Sequence, residues 1–209
     1  MTLSNCYTTV SDVAYRLGLE DADEDLRIEQ AITPACRAID AWCGQFFYDS
    51  GAATALNIQP TDPRVLRTDP FSTSTGLVIK TDLGGDGSFS STWSATDYEL
   101  LPGSQNSPTL GTVPYNQIHA VTGLYFPMGM RRRLTVQVTA RWGWASVPSM
   151  VEEAAKILAV DLWKRKDTPF GIASATADFG GLRIGRDAMS GVASILQPFK
   201  RLDTTGGFA

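Results

Sequence analysis

Between about Gly51 and Ala145 the chain abandons helical periodicity for short apolar runs broken by Gly, Pro, Thr and Ser, and on both sides of that stretch the helical pattern returns. Periods of 3.6 and 2 cannot share one element. The fold is therefore restricted to the α+β class, with an antiparallel β-rich piece inserted into a small helical bundle. The divisions are residues 1–50, the first part of the helical body; 51–145, the β-rich insertion; 146–167, a long helix completing the body; and 168–209, an extended C-terminal arm ending in a short helix. With 209 residues, 43% of them hydrophobic, both a helical and a β core can be filled.

The first 50 residues hold two helices. Thr9 or Ser11 caps the first, which runs through Leu17 and stops at Gly18. The acidic run Glu20 to Asp25 opens the second, where negative charge suits the helix N-terminus, and Ile28, Ile32, Ala35, Ile39 and Trp42 form its apolar stripe up to Gly44. Pro34 interrupts the pattern and predicts a lost hydrogen bond and a kink. In the insertion, strands are expected at Leu77 to Asp82, Tyr98 to Leu101, Gln117 to Gly123 and Leu134 to Trp142, the last by strict alternation.

The long helix is expected from about Pro148 to Lys166, with Ser149 and Glu152 as a capping box and Val151, Ala154 or Ala155, Leu158 and Leu162 as its buried face. Thr168 to Arg186 shows no periodicity and reads as an arm. The closing helix, Asp187 to Gln197, presents Met189, Val192, Ile195 or Leu196, and then Phe199, as a stripe with few neighbours of its own to cover it.

Charge is segregated. Residues 1–50 carry nine acids against three arginines, a net of −6, and residues 164–201 carry seven bases against three acids, a net of +4. The asymmetry fits a head-to-tail contact between neighbouring copies that closes into a ring, and taken alone it fits two solvated faces better. The whole chain is at −4, which excludes a global basic field for holding nucleic acid. No run reaches the ~20 apolar residues of a membrane span and no secretory signal is seen, so a soluble, non-exported protein is expected.

Few residues invite chemistry. A single histidine, His119, excludes multi-histidine metal sites, and no nucleophile motif accompanies it. Cys6, Cys36 and Cys43 are too few for a disulfide framework or a zinc site; Cys36 and Cys43, two helical turns apart, read as small core residues. Asp82 to Gly87 reads as a hairpin turn rather than a calcium loop, Arg131 to Arg133 as a solvated rim, and Gly180 to Gly185 as arm flexibility rather than a phosphate loop. Trp142-Gly143-Trp144 reads as a packing seam between insertion and helices rather than a sugar platform. No cofactor, metal or catalytic residue is expected.

The order of the pieces carries a resemblance. Ala38-Ile39-Asp40-Ala41-Trp42-Cys43-Gly44-Gln45-Phe46-Phe47 resembles a helix end of tailed-bacteriophage head-tail connector proteins, also called head completion or adaptor proteins. Tyr98-Glu99-Leu100-Leu101-Pro102 is similar to the inserts of longer members. Trp142 to Pro148, Ala154 to Ala159 and Lys164 to Gly171 resemble their second long helix and its flanks. Gln45, where a basic residue is common, and Pro34 depart from the pattern.

The resemblance implies a non-enzymatic virion protein in the neck, assembled in the host cytoplasm. About twelve copies would form a ring under the portal vertex, extend the DNA channel without sequence-specific binding, and offer a platform to the next neck or tail protein. Ile28, Ile32, Ile39, Trp42, Leu158 and Leu162 would build the ring helices. Arg183, Arg186, Met189, Val192, Leu196 and Phe199 would meet the portal protein, so that removing 187–209 is expected to leave a folded chain unable to join capsids. Two alternatives are another neck or tail-completion protein, and a β-sandwich glycan-binding module using Trp93, Trp142 and Trp144.

Overall fold

The computed structural model describes residues 4–20, 22–108, 110–121, 123–128, 134–165 and 188–201. The chain divides into two units, Met1–Phe46 with Val147–Ala209, and Phe47–Ser146.

In the first unit, α1 spans Val10–Leu17. The Thr9 hydroxyl accepts from the Asp12 N–H at its start, and Gly18, at φ 72°, closes it with N–H groups turned back to Ala14 and Tyr15. A 3₁₀ turn, Ala22–Glu24, takes up part of the acidic run, and α2 spans Asp25–Cys43. Ile28, Ile32, Ala35, Cys36, Ile39 and Cys43 are fully buried along one face of α2, whereas Trp42 is half-buried at its edge. Pro34 lies inside the helix on its exposed side. Gln30, whose carbonyl loses the Pro34 partner, is exposed too.

α3 spans Ser149–Lys164 and packs on α2 and α1. The expected capping box does not form: Pro148 occupies the cap position and Ser149 is already inside the first turn, where its hydroxyl cannot cap. Val151, Ala154, Ala155, Leu158 and Ala159 are buried. Leu162 is half-buried, and Arg165 pairs with Asp161 at 3.0 Å as α3 ends. α4, Ala188–Leu196, continues into a 3₁₀ turn through Phe199.

The second unit is built from antiparallel strands. β1 (Thr54–Ile58), β3 (Val78–Thr81), β4 (Ser91–Thr92) and β9 (Val136–Ala140) form one sheet in the order β1-β9-β3-β4. β2 (Val65–Phe71), β5 (Tyr98–Leu101) and β8 (Tyr115–Ala120) form a second in the order β2-β8-β5, and β6 (Asn106–Ser107) pairs with β7 (Gly111–Thr112). Directly opposed residues share a face, so Leu56, Val138 and Ile79 make one apolar row and Leu66, Ile118 and Leu100 another. β8 begins and ends earlier than its sequence pattern suggested. The chain turns after Ala120, with the Leu124 N–H on the Val121 carbonyl.

Candidate interaction surfaces

The terminal helix is not an uncovered stripe. Val192 and Leu196 are fully buried and Phe199 is 3% exposed, with α4 packed chiefly on α3 and also on α2. Burying each such side chain stabilises by roughly 1.5–3 kcal/mol, which explains why the stripe is satisfied within its own chain. Polar contacts fasten the end: the Gln45 amide donates to the Phe199 carbonyl at 2.5 Å, the Arg201 N–H donates to the Cys43 carbonyl at 2.9 Å, and the Lys200 ammonium sits 4.5 Å from the centre of the Trp42 ring. Gln45, the departure from the connector pattern, is thus a neutral donor that holds the terminal helix. Met189 is half-exposed. Arg183 and Arg186 lie outside the described residues, as do Arg131 to Arg133 and Gly180 to Gly185.

The helical unit shows two large apolar side chains to solvent that the stripe reading passed over, Tyr15 at 89% exposure and Leu26 at 60%. They flank the acidic run in sequence, and the signal was available, since each falls off the buried face of its own helix. Near them Arg16 bridges to Glu153 at 2.6 Å and Lys156 approaches Asp12 at 3.9 Å, tying α1 to α3. Both pairs are partly exposed and contribute little to stability.

Within the strand unit the residues that invited chemistry have structural partners. Asp82 is 1% exposed, and its carboxylate accepts the N–H groups of Gly85 at 2.8 Å and Gly87 at 2.7 Å, which closes the turn after β3. Asp86 accepts both the hydroxyl and the N–H of Ser88, which hold its carboxyl below the usual range. His119 on β8 lies 3.3 Å from the Gln117 side-chain oxygen, with Val65 and Glu99 as its cross-strand neighbours. Among the described residues no group of three His, Cys, Asp or Glu is arranged to hold a metal, and no helix is long and apolar enough to cross a membrane.

The tryptophans are core. Trp93 stacks on Phe126 at 4.6 Å, Trp142 meets the edge of Phe71, and Trp144 lies 5.4 Å from Phe47. All three are at most 9% exposed, so none offers a face to a sugar. The Trp142 indole N–H is spent on the Thr54 carbonyl at 2.9 Å. These partners all belong to the strand unit.

No family model matches the chain, and no curated protein matches it. Its fold is shared with solved chains of gene transfer agent (GTA) particles. One is from the neck of an empty GTA particle computed with C6 symmetry, with a TM-score of 0.56 at 17% identity over 99% of this chain and 96% of that one. A chain of the virion of a native GTA particle gives a TM-score of 0.53 at 19% identity, again over 99% and 96%. A third, from the neck of a native particle computed with C12 symmetry, gives 0.51 at 17% identity over 99% of both chains. The likeness spans the helices and the insertion together, and at this identity it establishes the fold.

Proposed function

We propose that the chain is a structural neck protein of a tailed-phage or phage-like particle, a head-tail adaptor that forms a ring beneath the portal vertex, extends the DNA channel and joins the head to the tail. The observation that carries this reading is the end-to-end likeness to neck chains, 99% of this chain against 96–99% of theirs, with both units included. It agrees with the connector-like motifs at Ala38 to Phe47 and Trp142 to Pro148. The C6 and C12 symmetries of the similar structures support a ring, and about twelve copies is the number proposed.

In this reading α2 and α3, cored by Ile28, Ile32, Ile39 and Leu158 with Trp42 and Leu162 at the margin, form the ring body. Portal contact is assigned to Arg183, Arg186 and the open side of α4 at Met189. Val192, Leu196 and Phe199 act indirectly, by seating α4 on its own chain. The downstream neck or tail protein meets the opposite face of the ring. DNA passes through without sequence-specific contacts.

The test is the mass of the purified full chain, alone and mixed with the portal assembly of the same particle. A 22.6 kDa chain that adds about a dozen copies to a portal ring supports the adaptor role. A chain that forms no ring and ignores the portal overturns it. Binding to a tail component instead would assign it to tail completion.

A further inference from the structure

Sheet edges are guarded against stray pairing by charge, proline or shortness, because their open N–H and C=O groups invite another strand. Among the edges of the two larger sheets, β2 carries Arg67, Asp69 and Pro70, β5 carries Glu99, and β4 is two residues long. β1 has none of these guards. It runs five residues, Thr54–Ile58, and no charged side chain occurs anywhere from Ser50 to Thr61.

The ladder fixes which of its backbone groups are open, since successive residues of an antiparallel strand turn their N–H and C=O groups to alternate neighbours. The Ile79 carbonyl accepts from the Trp93 N–H at 2.9 Å, so Ile79 turns to β4 and away from β9. The Asp82 N–H donates to the Thr135 carbonyl at 2.9 Å, so the even positions of β3 and the odd positions of β9 bond to each other. Val136, Val138 and Ala140 therefore turn to β1 and engage Ile58, Leu56 and Thr54, just as the Trp142 carbonyl takes the Ser50 N–H at 2.9 Å. Ala55 and Asn57 keep their N–H and C=O groups on the far side, where no strand lies among the described residues. The apolar row runs out at the same place. Ile79 and Val138 are 1% and 0% exposed, whereas Leu56, next in that row, is 38% exposed.

We infer that β1 pairs antiparallel with β1 of a second copy, about a two-fold axis at Leu56. Ala55 then exchanges both backbone bonds with the partner's Asn57, and Asn57 with the partner's Ala55, which uses every open group. Leu56 faces the partner's Leu56 at a non-hydrogen-bonded pair, where Cα atoms are about 4.5 Å apart and side chains pack closest. Three observations select a second copy as the occupant. The open groups at 55 and 57 are symmetric about 56, as a two-fold requires. A strand paired with itself sets any charge near its own image, and this strand has no charge. The row Ile79–Val138–Leu56 is continued by the same row of the other copy. A ring with a single rotation axis contains no two-fold, so this pair is a property of the free chain and opens as a ring forms. The inference does not depend on the neck assignment.

One pair of strands buries well under the ~1,600 Å² of a standard interface, so the association is weak. The test is the mass of the full chain by sedimentation equilibrium from about 1 to 500 µM. A rise with concentration from the 22.6 kDa chain to twice that mass is expected. Leu56→Lys and Leu56→Glu each set like charges opposite one another and are expected to weaken the pair at least about tenfold, and mixing the two variants to restore it. Circular dichroism checks that each variant keeps the parent's fold. Oxidised Leu56→Cys is expected to give a covalent pair whose peptide map links position 56 to position 56, while Ala55→Cys, diagonal to its own image, gives none. A chain that stays at one copy throughout overturns the inference and leaves the edge to a strand from another protein. A pair that survives both Leu56 charges, or a link that maps elsewhere, overturns it as well.

Discussion

Phe199 is the side chain whose removal says most about the end of the chain. It is buried beyond Pro198, and its carbonyl is the one Gln45 holds. Phe199→Ala is expected to cost about 3–5 kcal/mol in urea unfolding, because the cavity opens in a packed unit. Met189→Ala, at a half-exposed position, is expected to stay within about 1 kcal/mol and, on the adaptor reading, to weaken portal binding instead. A second residue-scale response is to acid. The Arg141 guanidinium, donating at 2.7 Å, holds the Asp49 carboxyl below the usual range. A depressed folded pKa contributes stability that is present above the unfolded value and is lost as pH falls through the folded one. Asp49→Asn should therefore flatten the acid limb of a Tm-against-pH curve while leaving its neutral plateau nearly in place. Asp40 works in the opposite sense. Burial raises its carboxyl against the pull of Tyr7 and Arg37, so its contribution declines as pH rises through its titration.

At the scale of elements, α1 is set by two local devices, and each can be removed. Thr9→Ala deletes the cap at the Asp12 N–H and is expected to cost about 1 kcal/mol. Circular dichroism melts of the full chain would register it. The terminal helix is the element on which pattern reading went furthest astray. Its stripe was legible, but a stripe does not say which surface covers it. The structure supplies α3 and α2, which reverses the expected result of truncation. Deleting 187–209 should now lower the stability of the helical unit, exposing the apolar surface of α2 and α3 that Val192, Leu196 and Phe199 cover, and dye binding to exposed apolar surface would detect it. Strands β1 and β2 were missed for a different reason. β1 is an edge strand, exposed along most of its length, so it lacks alternation. β2 contains Pro70, which the sheet accommodates by a register shift between Arg67 and Phe71.

At the scale of the molecule, the strand unit enters and leaves the helical sequence through neighbouring points. The Ser50 N–H donates to the Trp142 carbonyl, Asp49 bridges to Gly143, and Phe47 packs on Trp144. An insertion whose two ends are tied together in this way closes its own core. Residues 47–146 produced alone are therefore expected to unfold cooperatively and to keep the emission of buried tryptophans. Red-shifted emission from the isolated piece would show that its core is incomplete. The shared fold with neck chains of GTA particles covers both units, which is why the adaptor reading rests on the full length and not on one motif.

By itself the sequence determined what depends on near neighbours: a cap at Thr9 or Ser11, of which the structure uses Thr9, the stop at Gly18, the buried face of α2, the alternation of β9, and the turn chemistry of Asp82 to Gly87. Each of these is fixed by spacing along the chain, because helix and strand periods and turn bonds span only a few residues. The tertiary structure alone decided what covers what. It placed the terminal helix on α3, turned the three tryptophans inward, and brought the Tyr7 N–H to the Cys36 sulfur across 29 residues of sequence. Burial is a property of pairs distant in sequence, and an apolar residue looks the same in the chain whether its partner is another helix of the same copy or a second protein.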